Sequence, residues 1–239
     1  MQEFSGVDLS LERVLTARAA VTSLFIKGEG IEVGAGSRPF PVPDHAIVRY
    51  GDIRDADELK EYFNSLPTVG GEQRFDAQTM VGFEHGSLDF VLSGHVIEHL
   101  KDPIGSIVNT MAVVKRGGVL VLSVPDMRFT FDRTRPETTV EHAVKDFADG
   151  GLSTVKQAFE EHLRYCHPIM TGGQTYDDFE IERQATLSAA RANEIDLHYH
   201  AWTMQGFFRL LQACREFTAI NVEFAVPIEN ENIFVISRS

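Results

Sequence analysis

The chain has 239 residues and a formal net charge of −13, with 43% hydrophobic and 24% charged residues, the balance of a globular chain able to bury its own core. That acidic excess argues against a duplex-binding protein, which must neutralise phosphates with Lys and Arg. Two widely spaced cysteines, Cys166 and Cys214, with no leader-like start and no run of about 18 apolar residues, lead to the expectation of a reduced, cytoplasmic protein without a membrane span.

Apolar residues at helical spacing over 9–26 predict a helix, so residues 1–28 read as an N-terminal helical segment. "GIEVGAGS" (30–37) reads as a short strand running into glycines, and "HAIVRYGD" (45–52) as a second strand ending in an acid. A helix over 55–66 follows, closed by Pro67 and Gly70-Gly71. "EQRFDA" (72–77) is a weak third strand, and "SLDFVLSG" (87–94) a strongly apolar fourth. Residues 102–118 predict a helix, with Pro103 at its start and glycines at its end. "VLVLSVPD" (119–126) has the unbroken apolar character of a strand buried on both faces. After it the rhythm breaks, and 127–201 reads as a polar insertion. A helix over 203–217 and strands over 218–226 and 232–238 complete the chain.

Alternating strands and helices predict an α/β fold: a Rossmann-like, seven-stranded, mostly parallel sheet with an antiparallel last strand, flanked by helices. The core covers 29–126 and 202–239. The insertion after strand five is expected to lie over the carboxyl edge of the sheet, where open α/β folds bind ligands.

Glu32, Gly34 and Gly36 end the first strand, where glycines let the backbone approach a ligand. Asp52 ends the second strand, placed to accept both hydroxyls of a ribose, and Asp76-Ala77 follow the third. This order, together with "FDAQTMVGFEHGSLDFVLSGHVIEHLKDP", resembles the class I S-adenosylmethionine-dependent methyltransferases, in particular the subgroup that includes ubiquinone-biosynthesis methyltransferases. The resemblance runs across 30–126 and the final strand pair. It implies S-adenosylmethionine as cofactor. Glu32, Gly34, Ala35, Gly36 and Ser37 would surround its amino-acid part, Asp52 and Ile53 its ribose, and Asp76 and Ala77 its adenine, with Ser93 a further cofactor contact. A dinucleotide oxidoreductase would carry a third glycine where this chain has Pro39. Prolines at 39, 41 and 43 suit an extended segment, so the usual helix after the glycine loop is expected to be short or absent. The cofactor carboxylate then falls to the loop itself, with Ser37 and Arg38.

"SGHVIEHLKDP" (93–103) carries His95, Glu98 and His99 in the spacing H-x-x-E-H. Zinc peptidases carry that string mid-helix. Here it follows a buried strand, and Pro103 comes soon after. The small-RNA 3′-terminal 2′-O-methyltransferases and some ubiquinone-biosynthesis O-methyltransferases have E-x-x-E-H in this place, which implies a divalent-metal site. In "LHYHAW", His198 and His200 alternate and could complete the shell. Imidazole ligands would favour Mn, Fe, Co or Zn over Mg. The alternative is a metal-free site, with His95 lining the acceptor pocket and His95 or His142 as base. In the insertion, Arg133 and Arg135 could clamp an anionic group of the substrate, or pair with nearby acids.

The expectation is an O-methyltransferase acting on a hydroxylated small molecule, sugar or glycoconjugate, assisted by a divalent metal. An RNA 3′ end is the alternative acceptor, disfavoured by the acidic balance. A dimer is compatible with this reading, and no motif specifies the oligomeric state.

Overall fold

The computed structural model describes residues 9–71 and 73–239; residues 1–8 of the N-terminal segment and Glu72 lie outside it. Helix α1 (Leu9–Phe25) leads into β1 (Gly28–Val33). An extended segment then runs to β2 (Ala46–Gly51) without a helix, as the alternating prolines require. Helix α2 (Ala56–Tyr62) starts at a reciprocal cap, in which Asp55 accepts from the Glu58 amide and the Glu58 side chain accepts from the Asp55 amide. Next come β3 (Leu88–Gly94), a 3₁₀ turn (Ile97–His99), α3 (Pro103–Val113) and β4 (Val114–Pro125). Helices α4 (Val140–Asp149), α5 (Val155–Glu161), α6 (His167–Met170) and α7 (Asp178–Ala189) fill the insertion, with a π-turn at His162–Cys166 between α5 and α6. Helix α8 (Met204–Cys214), β5 (Ile220–Ile228) and β6 (Glu231–Arg238) complete the fold.

Among the described residues the sheet has six strands, in the order β2-β1-β3-β4-β6-β5, with β6 antiparallel to both its neighbours. The third strand expected over 72–77 is reduced to a single bridge between Asp52 and Arg74, which leaves six strands where seven were expected. Gly70 and Gly71, both at positive φ, and Pro67 turn the chain there before a ladder can form. A second expectation also changes. Helix α3 stops at Val113, and Lys115–Gly118 bulge out between two registers of the β3–β4 pair instead of capping the helix.

Side chains alternate across the sheet. Leu120, Leu122, Phe234 and Ile236 enter the core beneath α3 and α8, while Val119, Val121, Ile233 and Val235 enter the core beneath α1. The insertion has a small core of its own around Val155, Phe159, Ala185, Leu197 and Tyr199. Trp202 is buried in the central core and stacks on His200, which ties the end of the insertion to the sheet.

One charged contact crosses these layers. Arg18 of α1 makes a two-pronged ion pair with Glu231 at the start of β6, Nε to Oε1 at 3.0 Å and Nη2 to Oε2 at 2.7 Å. Arg18 also donates to the Arg38 carbonyl and to Ser123 Oγ, and its guanidinium lies over the Phe40 ring. Both charges are nearly fully buried. Breaking such a pair leaves a charge stranded in low dielectric, so Arg18→Ala is expected to cost about 3–5 kcal/mol. Chemical denaturation of the two proteins checks this, and a loss below about 1 kcal/mol would mean the pair is peripheral to the fold.

Candidate active site

Strand order reverses between β1 and β3, and the carboxyl ends of these strands open onto a cleft of about 1830 Å³. Small-molecule sites occupy roughly 300–1000 Å³, so this cleft has room for a nucleoside and a second molecule. Gly34 turns the chain at its floor with φ +65°, and a Cβ there would sit 2.5 Å from Val96 Cγ2. Ala35, Ser37, Asp52, Ile53, Asp76 and Ala77 all line the cleft. Arg38 lines it too, with its side chain exposed. The Asp52 carboxylate is held at the rim by the Arg54 amide, 2.9 Å from Oδ1. Burial pushes its pKa up, and the Arg54 amide and guanidinium pull the other way. Asp76 accepts from the Gln78 amide, which shapes the turn after the bridge.

Three of the expected cofactor contacts lie elsewhere. The Glu32 carboxylate is buried below the loop and accepts the Phe40 amide with both oxygens, at 2.9 and 3.1 Å. Burial pushes its pKa up to about 8 against the pull of that amide and of Arg18. Glu32 therefore shapes the proline segment rather than lining the cleft. Gly36, with φ +52°, bridges to Val69 and is covered by the Phe63 ring. Ser93 faces a small internal void of about 20 Å³ beneath the floor.

His95, Glu98 and His99 follow β3, and they do not form one helical turn. His95 takes a left-handed conformation, φ +55°, and only Ile97–His99 make a 3₁₀ turn. The His95 amide donates to the Ser123 carbonyl, and its Nε2 lies 2.9 Å from Glu231 Oε2. His95 thus joins the Arg18–Glu231 pair, with Nδ1 turned towards Glu98, 3.7 Å from Oε1. Glu98 is the most unusual group here. It is 1% exposed, and neither carboxylate oxygen has a hydrogen-bond partner. His99 Nε2 lies 3.9 Å from Glu98 Oε1, and the His198 ring stands perpendicular to that of His99 at 4.7 Å. Ligand atoms of Glu98, His99 and His198 all fall within 4.8 Å of one another.

Each imidazole is backed by an acid. His99 Nδ1 lies 2.6 Å from Asp196 Oδ1, and His198 Nδ1 lies 2.7 Å from Asp132 Oδ2. That leaves the Nε2 atoms as the remaining ligand nitrogens, the arrangement in which carboxylates orient metal-binding histidines. Burial works against charge on His99 and Asp196, yet His99 is pushed up and Asp196 down because each holds the other. An orphaned buried carboxylate between two oriented imidazoles is a donor set that fits a divalent cation.

His200 belongs to a different cluster, which corrects its expected place beside His198. Its Nε2 lies 2.9 Å from Asp146 Oδ2, and His142 Nε2 reaches the same oxygen at 3.2 Å. Thr154 donates to Asp146 Oδ1. Both Asp146 oxygens are therefore satisfied by protein donors, so this cluster clamps the insertion and has no unmet need for a cation. It also takes His142 away from the cleft. The arginine clamp is corrected as well. Arg135 is buried and spends its guanidinium on Glu161 and on the His198 and Tyr199 carbonyls, while Arg133 is exposed and outside the cleft lining. A nearby acid and two carbonyls of the insertion thus satisfy the Arg135 guanidinium. The residues missed by sequence reasoning are the backing groups Asp132, Asp196 and Glu231, which lie far along the chain from their histidines and share no motif with them.

A family model described as a methyltransferase domain matches residues 57–122, from α2 to the middle of β4. No curated protein matches the chain. Among solved structures, a candidate S-adenosylmethionine-dependent methyltransferase from Listeria monocytogenes is 12% identical with a TM-score of 0.52, over 95% of this chain and 99% of that one. A methyltransferase of the same cofactor class from Clostridium acetobutylicum is 8% identical with a TM-score of 0.50, over 98% and 94%. A candidate Zn-dependent alcohol dehydrogenase from Rhodobacter sphaeroides is 14% identical with a TM-score of 0.55, over 98% and 90%. At such identities these likenesses speak to the fold alone, and none of the described helices is long and apolar enough to cross a membrane. Over residues 57–122 the chain is thus similar to the methyltransferase-domain family, and over nearly its whole length it shares the fold of the solved methyltransferases named above.

Proposed function

We propose that the protein transfers the S-methyl group to a hydroxyl of a small molecule, sugar or glycoconjugate, with a divalent cation held by Glu98, His99 and His198. The observation that carries this is the Glu98 carboxylate, buried and without a donor, facing two imidazoles that acids already orient. Two nitrogens and one oxygen favour a transition metal over Mg, and three protein ligands leave positions open for an acceptor.

The cofactor would lie along the cleft floor. The turn at Gly34, with Ala35 and Ser37, surrounds its amino-acid part, and the exposed Arg38 offers the carboxylate a cation. Asp52 accepts the ribose hydroxyls, Ile53 flanks them, and Asp76 with Ala77 meets the adenine. Arg133 and Arg135 have no part in this reading, so it requires no anionic group on the acceptor.

Methyl transfer is an in-line displacement. The acceptor oxygen forms the new C–O bond, the C–S bond breaks, the sulfonium leaves as a thioether, and the hydroxyl proton goes to a base. A bound cation would lower the pKa of the hydroxyl and fix which oxygen of a vicinal diol faces the methyl group. The chain's own residues supply the rest. His95 donates Nε2–H to Glu231, so its lone pair sits on Nδ1, beside Glu98 and at the cleft wall, where it can take the proton. The floor of the cleft aligns the sulfur, and the insertion carries His198 to the acceptor side.

Titration calorimetry with S-adenosylhomocysteine tests the cofactor half. Binding is expected in the wild type, and Gly34→Ala, strained at positive φ and in collision with Val96, is expected to weaken it by about tenfold or more. No binding at millimolar ligand would overturn the cofactor site. Chelator-stripped protein titrated with Co²⁺ tests the other half. One equivalent is expected to bind, and Glu98→Gln and His198→Ala are each expected to weaken it by about tenfold or more. Equal affinity in these variants would remove the cation and leave His95 in a metal-free site.

A further inference from the structure

We infer that Asp196 couples the cation site to the cofactor site, so that each ligand tightens the binding of the other. This inference rests on the function proposed above. Asp196 sits in the loop that follows α7, and this loop reaches across the cleft to the opposite rim. Its Oδ1 faces His99 Nδ1 at 2.6 Å. Its Oδ2 accepts from the Tyr62 hydroxyl at the end of α2 and pairs with Arg54 Nη2 at 3.3 Å. Arg54 in turn lies over the Tyr62 ring, 4.0 Å from its centroid, and reaches Asp52 Oδ1 with Nη1 at 3.8 Å. A continuous polar path therefore runs from the ribose-side carboxylate through Arg54 and Asp196 to a cation ligand. A second strap lies beside it, where Lys101 donates to Asn193 Oδ1 and Tyr199 donates to the Ala192 carbonyl.

A ligand on His99 Nε2 makes Nδ1–H a stronger donor, which draws Asp196 and its loop onto the site. A ribose on Asp52 orders Asp52 and Arg54, and Arg54 holds the other oxygen of the same carboxylate. Both ligands favour one closed position of residues 190–197, so the second to bind meets a loop already ordered. Coupling of this kind is reciprocal.

The test is a pair of calorimetric titrations on the full chain: S-adenosylhomocysteine with and without saturating Co²⁺, and Co²⁺ with and without saturating S-adenosylhomocysteine. Each ligand is expected to tighten the other on the order of tenfold, by the same factor in both directions. In Asp196→Asn, and in Arg54→Met, which touches no proposed cation ligand, that factor is expected to fall to about one. Circular dichroism of both variants confirms the fold. Two normal single titrations with no mutual effect, or full coupling retained in Arg54→Met, would overturn the inference alone. Failure of either single titration in the wild type would overturn the site assignment and the inference with it.

Discussion

The carboxyl edge of the sheet is organised by one buried ion pair. Arg18 comes from α1 and Glu231 from the first position of β6, and between them they reach the Arg38 carbonyl, Ser123 and His95. A buried pair of this sort gains little over apolar packing, because removing two charges from water costs nearly what their attraction returns. It adds definition of place. The pair fixes α1 against the ends of β4 and β6, anchors the proline segment at the Arg38 carbonyl, and gives His95 a partner that holds its left-handed turn. The direction His95 faces in the cleft depends on a charge on the last strand.

The same economy recurs around the cleft. Each histidine near it is held at one nitrogen by an acid from another element: His95 by Glu231, His99 by Asp196, His198 by Asp132, and His200 by Asp146. Three of these four acids are at most 2% exposed, and Asp196 is partly exposed. Glu98 stands apart. It alone among these carboxylates has no donor. The difference between Asp146, with both oxygens satisfied, and Glu98, with neither, separates a self-contained clamp from a carboxylate whose hydrogen-bonding capacity the protein leaves unmet.

Much of the fold was legible because it rests on local periodicity and turn chemistry. The apolar runs of β1, β3, β4 and β6, Pro103 at the start of α3, and the prolines that prevent a helix after the glycine loop act over a few residues each. The expected third strand does not form: "EQRFDA" has the residues of a strand, but among its described residues only Arg74 finds a bridge partner. The H-x-x-E-H string was legible as a cluster yet not as geometry. A helical turn would have put all three side chains on one face, whereas the left-handed His95 directs Nε2 to Glu231.

The sequence by itself determined the class of sheet, the order of its elements, the glycine turn with Asp52 at the rim, and the Glu98–His99 pair, because each is written within one element or its flanks. Tertiary structure alone decided which histidine joins that pair. His198 and His200 are two residues apart on one extended segment, and nothing local distinguishes them. Asp132 holds one beside Glu98 and His99 and Asp146 buries the other, and Arg135 is spent on carbonyls of the same segment. These pairings span 54 to 66 positions of the chain, and only packing of the insertion onto the sheet brings their charges within hydrogen-bonding reach.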